Sequence, residues 1–466
     1  MTVVTAERIT TAGQAVRIAG ELAEVFAAGA AERDFSRRLP HEELDQLSAS
    51  GLLAITVPAE FGGADLPPSV VAEVVRILAA ADPNIAQVPH SHFVYLNLLR
   101  LAGTRAQRQE YFGKVLAGAR IANAQSERGG ATVAEISTVL RPVDGAGADV
   151  PEADVQRNGI GLGLGAPGVD GPGAGVGERG RGGEWRIDAT SAGVGARRFV
   201  VEGTKFYCTG SLFADLLAVL TRLDDPQGIS GLAPGEYVAF VPALDPGVRI
   251  VDDWDALGQR TTGSGTVEFD GVAVGREQLV ARAAAVNAPT GYGAFAQLLH
   301  AAIDAGIARG ALGAAAEFVR TRSRAWFEAE VAHAADDPLV VQRFGELAVA
   351  VAAAESTLIV AGAAVDAAVR SAPTNESHPA GSLDGDGARA SIAVATAKIL
   401  ADRAANEVSA AIFEVGGTRS AAAEHRLDHF WRNARTHTLH DPVRWKYQHI
   451  GRAVLHNRPP PLHGVI

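Results

Sequence analysis

The chain has 466 residues, 47% hydrophobic and 20% charged, which is the composition of a globular protein with room for about two or three cores. Its formal net charge is −11 and no segment is rich in Lys and Arg, which argues against nucleic acids and anionic membranes as partners. The one cysteine, Cys208, excludes an intrachain disulfide and a cysteine-rich metal site, and the charged N-terminus is unlike a signal peptide. We therefore expect a cytoplasmic protein.

Three segments with different residue patterns follow one another along the chain. Residues 1–120 are rich in Ala, Leu and Glu, with short breaks at Pro and Gly, and predict an N-terminal helical domain. Residues 121–285 hold short β-branched and aromatic runs separated by Gly, Asp and Pro, and predict an antiparallel β-domain. Residues 286–466 return to long Ala-rich segments and predict a C-terminal four-helix bundle. The fold class is therefore α+β.

One apolar stripe in the last segment marks a helix face. Its members are separated by four, three, four, three and four residues, which is the period of one side of an α-helix. We expect this face to lie in the core of the bundle. The stripe consists of Val340, Phe344, Leu347, Val351, Ala354 and Leu358.

A Gly-rich insertion interrupts the predicted β-domain at about 144–183. Twelve of the 25 residues from Gly159 to Gly183 are glycine, and such a composition cannot bury enough apolar surface to order itself. We therefore predict a mobile loop that folding does not require. The string GLGAPG at 163–168 has the form G-x-G-x-x-G, but a dinucleotide site needs a preceding strand and a following helix. Here Gly flanks one side and Pro167 with further Gly the other, so the string does not indicate such a site.

Histidines and arginines concentrate near the C-terminus, in HRLDHFWRNARTHTLHDPVRWKYQH. His425 and His429 are four residues apart, as two metal ligands on one helix face would be, but a third ligand at a diagnostic spacing is missing. The neighbouring arginines suit a phosphate better than a cation. The sequence therefore indicates no metal, and leaves packing histidines or an organic cofactor as the alternatives.

Two further polar clusters stand out, PHSHFVYLNLLR at 89–100 and IANAQSERGG at 121–130. A histidine on an apolar helix is more often a packed core residue than a catalyst, so the first cluster alone assigns no function. Cys208 has no adjacent basic residue or histidine that would lower its pKa, and we do not expect it to be a nucleophile.

Five motifs together resemble the acyl-CoA dehydrogenase superfamily: LLAITVPAEFGG, EGTKFYCTGS, WDALGQRTTGSGTVEFDGVAVG, DPLVVQRFGELAVAVAAAE and IFEVGGTRS. The resemblance runs from about Leu52 to Gly451, and the Gly-rich insertion is the clear departure from it. The segment HFWRNARTHTLHDPVRWKY is similar to the signature of the flavin-dependent monooxygenase branch, which contains dibenzothiophene monooxygenases and sulfur-acquisition oxidoreductases. The resemblance implies an acyl-CoA dehydrogenase-like fold.

The same resemblance implies a two-component monooxygenase. In such enzymes reduced FMN arrives from a separate NAD(P)H:flavin reductase and reacts with O2 to a C4a-(hydro)peroxyflavin, so the cofactor supplies the chemistry. The implied substrate is a small organosulfur compound such as a sulfone, sulfide or thiophene. FAD is the alternative cofactor, and the family's habit together with the long alanine-lined helices implies a homotetramer.

Site residues are carried over from the resemblance one by one. Asn123 and Ser126 match the strand that faces the flavin, and Tyr207 and Thr209 match an aromatic residue and the hydroxyl that contacts flavin N5. The flavin phosphate is assigned to Arg324, on the first bundle helix, and to Arg419, because a planar guanidinium pairs with phosphate oxygens. The implied catalytic pair is His440 and His92, with His90 as the alternative to His92.

A second enzymatic interpretation is an FAD-dependent acyl-CoA dehydrogenase, which needs a carboxylate base. Setting RNAR, at 432–435, on the family's R-D-A-K-like segment places Asp441 at the position of that base. A non-enzymatic structural tetramer is a third interpretation, but it gives no reason for the polar clusters on the flavin-facing elements.

Overall fold

The computed structural model describes residues 8–130, 132, 135–143, 198–371 and 383–463. Within these ranges, helices extend to Leu116, strands run from Ile121 to Ala281, and helices follow from Ala283 onward. The predicted loop at 144–183 lies outside the described residues.

Among the described residues, seven α-helices form the first part of the chain. Capping boxes fix the first turns of two of them, through Thr11 with Gln14 and Thr104 with Gln107. Asp82 caps a third helix, in which proline occupies the first turn. The bounds are α1 (Ala12–Ala27), α2 (Ala30–Ser36), α3 (His41–Ala49), α4 (Pro68–Ala81), α5 (Pro83–Gln87), α6 (His90–Ala102) and α7 (Arg105–Leu116).

The described strands form one sheet with the order β6-β7-β3-β2-β4-β5-β8, and β1 also pairs with β4. Most neighbours are antiparallel, but β1 and β2 both run parallel to β4, so the prediction of an antiparallel sheet is wrong for these two pairs. The bounds are β1 (Ile121–Ala124), β2 (Val139–Val143), β3 (Arg198–Lys205), β4 (Leu216–Leu223), β5 (Glu236–Pro242), β6 (Val248–Val251), β7 (Thr266–Gly275) and β8 (Leu279–Ala281).

Three long helices dominate the last part of the described chain and pack against one another, and the first two of them in chain order also pack against α4. At Gly310 a Cβ atom would lie 2.3 Å from the backbone oxygen of Ala80, so this glycine is what lets α4 approach the first of them. The bounds are α8 (Ala283–Val286), α9 (Tyr292–Thr321), α10 (Pro338–Ser371), α11 (Asp386–Gly416), α12 (Asp428–His437) and α13 (Arg444–His456).

The predicted apolar stripe lies on α10. Leu347, Val351, Ala354 and Leu358 are buried in the core that α4, α9 and α11 share, and the first two members of the stripe are partly buried against it. The expectation of a core face is confirmed. The other side of α10 is exposed. This helix has the length and hydropathy of a membrane span, and only 33% of its most apolar window is buried.

Candidate active site

A cleft of about 440 Å³ lies between the sheet and helices α6, α9 and α12. Its volume is in the range of small-molecule and cofactor sites. Four of the predicted flavin contacts line it: Asn123, Ser126, Tyr207 and Thr209. His440 lines it as well.

A chain of hydroxyl groups lines the sheet side of the cleft. Thr262 Oγ1 donates to the backbone oxygen of Gln259 at 3.0 Å, so it accepts from Ser264 Oγ at 2.7 Å. Ser264 Oγ in turn accepts from Thr209 Oγ1 at 2.8 Å. In this order the hydroxyl proton of Thr209 is donated to Ser264. Thr209 therefore presents an oxygen lone pair to the cleft, where a donor N–H can bind it.

The loop that carries these hydroxyls is held from two sides. At Gly258 a Cβ atom would lie 2.0 Å from the backbone oxygen of Arg432, so only glycine allows this contact with α12. The backbone N–H of Gln259 donates to Asn433 Oδ1 at 2.6 Å, and that of Thr261 donates to Asn84 Oδ1 at 3.2 Å. The loop is therefore positioned by packing rather than left free.

The Gln259 side chain is a buried amide that the described part of the protein leaves without a partner. Gln259 is 2% exposed and lines the cleft. Neither Nε2 nor Oε1 of its side chain has a hydrogen bond among the described residues. A buried amide without partners costs about 1–3 kcal/mol, so a polar group bound in the cleft would relieve that cost.

Asn123 and Tyr207 are joined at the cleft. Asn123 Nδ2 donates to the backbone oxygen of Tyr207 at 3.2 Å, and Ser91 Oγ donates to Asn123 Oδ1 at 3.2 Å. Tyr207 has a left-handed backbone with φ of 57°, and its ring is half-exposed beside Trp254. The strained backbone and the exposed ring are the features of a residue held for a ligand.

Three imidazole rings stack along the helical side of the cleft. The ring of His300, on α9, lies between those of His90 and His440, with centroid distances of 3.9 and 3.8 Å. His90 Nε2 donates to the backbone oxygen of Ala296 at 2.9 Å. Burial lowers the pKa of His90 to about 3, and burial together with the neighbouring histidines lowers the pKa of His300 well below its usual value. The rings of His90 and His300 are therefore neutral at pH 7.

Behind the stack, charged groups are buried in the protein. His300 Nδ1 lies 3.1 Å from His437 Nε2, and His437 Nδ1 lies 2.5 Å from Asp304 Oδ1. Asp304 Oδ2 accepts from Lys398 Nζ at 2.6 Å. No motif in the sequence predicts a role for His300, Asp304 or Lys398. The signal that could have pointed to them is a set of ionisable residues inside otherwise apolar helical segments, LLHAAID at 298–304 and ATAKIL at 395–400.

His92 does not face the cleft, so the structure corrects its proposed catalytic role. Its Nε2 donates to the backbone oxygen of Leu53 at 2.8 Å, and its Nδ1 accepts from the backbone N–H of Ile121 at 3.1 Å. Both ring nitrogens are therefore used in structural hydrogen bonds, one to Leu53 and one that joins α6 to β1. His90, the alternative from the sequence, is the histidine of this pair that lines the cleft.

Asp441 is also turned away from the cleft. It pairs with Lys446 Nζ at 2.9 Å, and His440 Nδ1 lies 3.5 Å from it, beyond hydrogen-bond length. Burial opposes ionisation of Asp441, but the neighbouring His440 ring and the Lys446 and Lys398 ammonium groups hold its pKa well below its usual range. A carboxylate with this partner is poorly placed to be the base of a dehydrogenase.

The two predicted phosphate ligands lie far from the cleft of the same chain. Arg324 is exposed and follows the end of α9 at Thr321, so its placement on the first bundle helix is wrong. Arg419 is exposed near it and donates to the backbone oxygen of Arg322 at 2.7 Å. From His300 to Thr321 the helix rises by about 32 Å, so neither guanidinium reaches the cleft of its own chain.

The remaining sequence candidates lie outside the cleft. Cys208 is buried, and burial raises the pKa of its thiol to about 12, which leaves no thiolate at neutral pH. His429 Nδ1 donates to the backbone oxygen of Arg426 at 2.6 Å, and the His425 ring packs on Phe318. Within the described ranges, no three His, Cys, Asp or Glu side chains converge as metal ligands would.

The buried histidines predict a loss of stability in mild acid. Burial lowers the pKa of His92 to about 4 from its ordinary 6.5, so near pH 5 the unfolded chain binds a proton that the folded protein does not. Stability is full above about pH 6.5 and falls by about 1.4 kcal/mol per pH unit for such a group as the pH drops toward 4. Asp402 acts in the opposite sense, because burial raises its pKa to about 6.

A His92→Gln variant isolates this contribution. Glutamine can donate to the backbone oxygen of Leu53 and accept from the N–H of Ile121, but it does not titrate. We expect its free energy of unfolding in urea to fall less between pH 7 and pH 5 than that of the wild type, by about 1 kcal/mol per pH unit. Equal pH dependence in the two proteins would contradict the role assigned to His92.

Comparison with known proteins identifies the family of this chain. The family model "Acyl-CoA dehydrogenase, N-terminal domain" matches residues 17–119, and "Acyl-CoA dehydrogenase, C-terminal domain" matches 298–445. Dibenzothiophene monooxygenase of Rhodococcus qingshengii is 30% identical over 454 residues, which cover 96% of this chain and 94% of that protein. The probable FMNH2-dependent monooxygenase SfnC of Pseudomonas putida is 29% identical, with 96% of each chain covered.

A solved structure extends the likeness to three dimensions. FMN-bound TdsC from Paenibacillus sp. A11-2 matches with a TM-score of 0.79 at 27% identity, over 97% of this chain and 100% of that one. The fold, with its helical, sheet and helical parts, is the acyl-CoA dehydrogenase-like fold that the resemblance implied. The chain belongs to the acyl-CoA dehydrogenase superfamily and, within it, to the flavin-dependent monooxygenase branch of dibenzothiophene monooxygenase.

Proposed function

We propose that this protein is a two-component monooxygenase that uses reduced FMN and O2 to oxygenate a small organosulfur compound. A separate NAD(P)H:flavin reductase supplies the reduced flavin. The observation that carries the proposal is the Thr209–Ser264–Thr262 hydroxyl chain, which leaves an acceptor oxygen at the cleft. Reduced flavin carries a proton on N5 that such an oxygen can bind.

The residues of the cleft fit a flavin ring. Thr209 would accept a hydrogen bond from N5–H, and the Gln259 amide, which has no partner among the described residues, would offer both a donor and an acceptor to the polar edge of the ring. Asn123 and Ser126 line the same side. When bound, the flavin supplies the reducing electrons and activates O2.

The protein's own part is to hold protons and exclude water. The neutral imidazoles of His90 and His300, with His440 at the mouth, form the wall that faces the sheet. A buried imidazole can hold or release a proton without adding a fixed charge to the cleft. Asp441, the base of the dehydrogenase alternative, is paired with Lys446 outside this wall, which favours oxygenation over acyl-CoA dehydrogenation.

Two reactions separate these activities. With chemically reduced FMN and air, the protein should consume O2 and oxygenate at least one of dibenzothiophene, dimethyl sulfone or methanesulfinate, as followed with an oxygen electrode and mass spectrometry. Under anaerobic conditions, butyryl-CoA should leave the absorbance of bound oxidised flavin unchanged. Bleaching of the flavin band by the thioester would overturn the assignment, because that reaction is dehydrogenation.

We further propose a homotetramer in which a neighbouring copy brings Arg324 and Arg419 to the flavin phosphate. Both side chains are exposed, and Arg419 donates to the backbone oxygen of Arg322, two residues before Arg324, but both lie about 30 Å from the cleft of their own chain. The exposed side of α10 offers an apolar surface for a second copy. Val349 and Val360, eleven residues apart and so on one helix face, are 69% and 63% exposed.

Charge on this face should separate the subunits. We expect Val349→Lys with Val360→Lys to convert the tetramer into smaller species in light scattering, because an unpaired ammonium would be buried in an apolar interface. FMN affinity should fall with the assembly. Val25→Lys, at an exposed apolar position on α1, is the control and should leave both unchanged. A wild-type monomer that binds FMN at full affinity would contradict the proposal.

A further inference from the structure

We propose that His300 is a proton-accepting residue of the cleft and that the buried chain of Lys398, Asp304 and His437 positions it for this role. Its function in turnover rests on the proposed oxygenase activity. The protonation of the two His300 ring nitrogens does not rest on it, and can be measured without flavin or substrate.

The chain is closed to solvent along its whole length. Asp304 is fully buried, and Lys398, His437 and His300 are 1 to 2% exposed. Asp304 lies one turn after His300 on α9, Lys398 is on α11, and His437 is the last residue of α12. Three helices therefore contribute one continuous line of hydrogen-bonding groups that ends at the cleft.

The chemistry of these groups fixes the direction of each hydrogen bond. An ammonium group only donates and a carboxylate only accepts, so Lys398 Nζ donates to one oxygen of Asp304, and His437 Nδ1–H donates to the other. A neutral His437 then has a lone pair on Nε2, which accepts from His300 Nδ1–H. His300 Nε2 is left unprotonated.

The electrostatics support these protonation states. Burial opposes the charge on Asp304, but Lys398 and His437 hold its pKa below the usual range, while Asp304 raises the pKa of Lys398 against the effect of burial. Burial lowers the pKa of His437 in spite of Asp304. The resting chain is therefore an ion pair followed by two neutral imidazoles.

A proton can enter this chain at the cleft and be stabilised inside it. When an acid bound in the cleft loses a proton, an N–H bond forms at His300 Nε2. The Nδ1 proton of His300 can then pass to His437 Nε2, which breaks one N–H bond and makes another. The positive charge comes to rest on His437, whose Nδ1 lies 2.5 Å from the Asp304 carboxylate. Without that carboxylate, the charge would be buried and unpaired.

The stacked neighbours do not provide an equivalent path. His90 uses Nε2 to donate to a backbone oxygen, and His440 lies at the exposed mouth beside Asp441. Among the described residues, the His300 ring makes one hydrogen bond, which goes to His437. His300 is thus the ring of the stack whose tautomer is fixed from behind by a buried carboxylate.

The first test measures the tautomer in the flavin-free protein. Solid-state ¹⁵N spectra of histidine-labelled protein distinguish protonated from unprotonated ring nitrogens, and His300→Phe identifies the signals of His300 while keeping an aromatic ring in the stack. We expect Nδ1 protonated and Nε2 unprotonated at pH 7. The opposite tautomer, or an even mixture of both, would overturn the proposal.

The second test removes the buried ion pair as a unit. Asp304→Leu with Lys398→Met replaces both charges by apolar groups of similar volume, which is often neutral for folding. The tautomers of His437 and His300 should then become mixed. Product formed per O2 consumed should fall about tenfold, and about a hundredfold for His300→Phe. FMN affinity should change little, because flavin contacts the sheet side.

The two changes should not be additive if they act through one path. Adding the ion-pair replacement to His300→Phe should cause no further loss of product per O2, whereas independent effects would multiply. Multiplying effects, or full product yield in His300→Phe, would show that the chain is structural only. If the wild type oxygenates no organosulfur compound, the proposed function fails, but the tautomer measurement still decides the state of His300.

Discussion

Replacement of His440 by alanine is expected to lower product formation by about a hundredfold, the usual scale of lost acid–base assistance. The ring lies at the exposed mouth of the cleft, stacked on His300 at a centroid distance of 3.8 Å. Its removal takes a hydrogen-bonding group from the site of oxygen activation and opens that site to water. The electrons delivered by reduced flavin should then appear as H2O2 instead of product.

The measurement compares product and H2O2, each per O2 consumed, with FMN affinity followed separately. His425→Ala is the matched control, because His425 belongs to the same histidine-rich segment but packs on Phe318 outside the cleft. This control should keep the wild-type ratio of product to peroxide. If His440→Ala also kept that ratio, the ring would have a packing role and no part in the reaction.

The sheet side of the cleft could be predicted from the sequence because its residues lie in short motifs. Thr209 belongs to KFYCTG and Asn123 to IANAQS, and each motif fixes a strand and the turn that follows it. The apolar stripe of α10 was predictable for a related reason, since a helix with one buried side shows the 3.6-residue period.

The choice between His90 and His92 could not be made from spacing. Side chains two positions apart on a helix point about 200° away from each other, so either His90 or His92 had to face away from the cleft. Which face of α6 meets β1 and which meets α9 is decided by long-range packing. The sequence contains no local signal for it.

The buried chain behind His300 was missed for a different reason. Helix α9 is apolar on nearly all sides near His300, so that no polar face shows where an ionisable residue is out of place. Asp304 finds its partners 94 and 133 residues further along, in Lys398 and His437. Contacts of that range have no signature in the spacing of a single sequence.

A second large effect is expected far from the histidines, where Arg33→Met should destabilise the protein by about 3–5 kcal/mol. The Arg33 guanidinium is buried, with Nη1 3.0 Å from Glu43 Oε1 and Nη2 2.9 Å from Asp82 Oδ2, and it also donates to the backbone oxygen of Phe26. Methionine would fill most of the volume but leave the buried Asp82 carboxylate without its cation.

Loss of the Arg33 ion pair should also disturb the cleft, because the Asp82 carboxylate anchors the loop at 258–264 that carries the hydroxyl groups. Asp82 Oδ1 accepts from the backbone N–H and the side-chain amide of Asn84, and Asn84 Oδ1 accepts from the N–H of Thr261. We therefore expect Arg33→Met to lower FMN affinity as well as the midpoint of urea unfolding. Arg17→Met, which removes an exposed pair with Glu21, is the control and should change stability by less than about 1 kcal/mol. Equal unfolding midpoints for the two variants would show that the Arg33 cluster adds no stability, whereas a loss of stability at unchanged FMN affinity would separate the cluster from the loop.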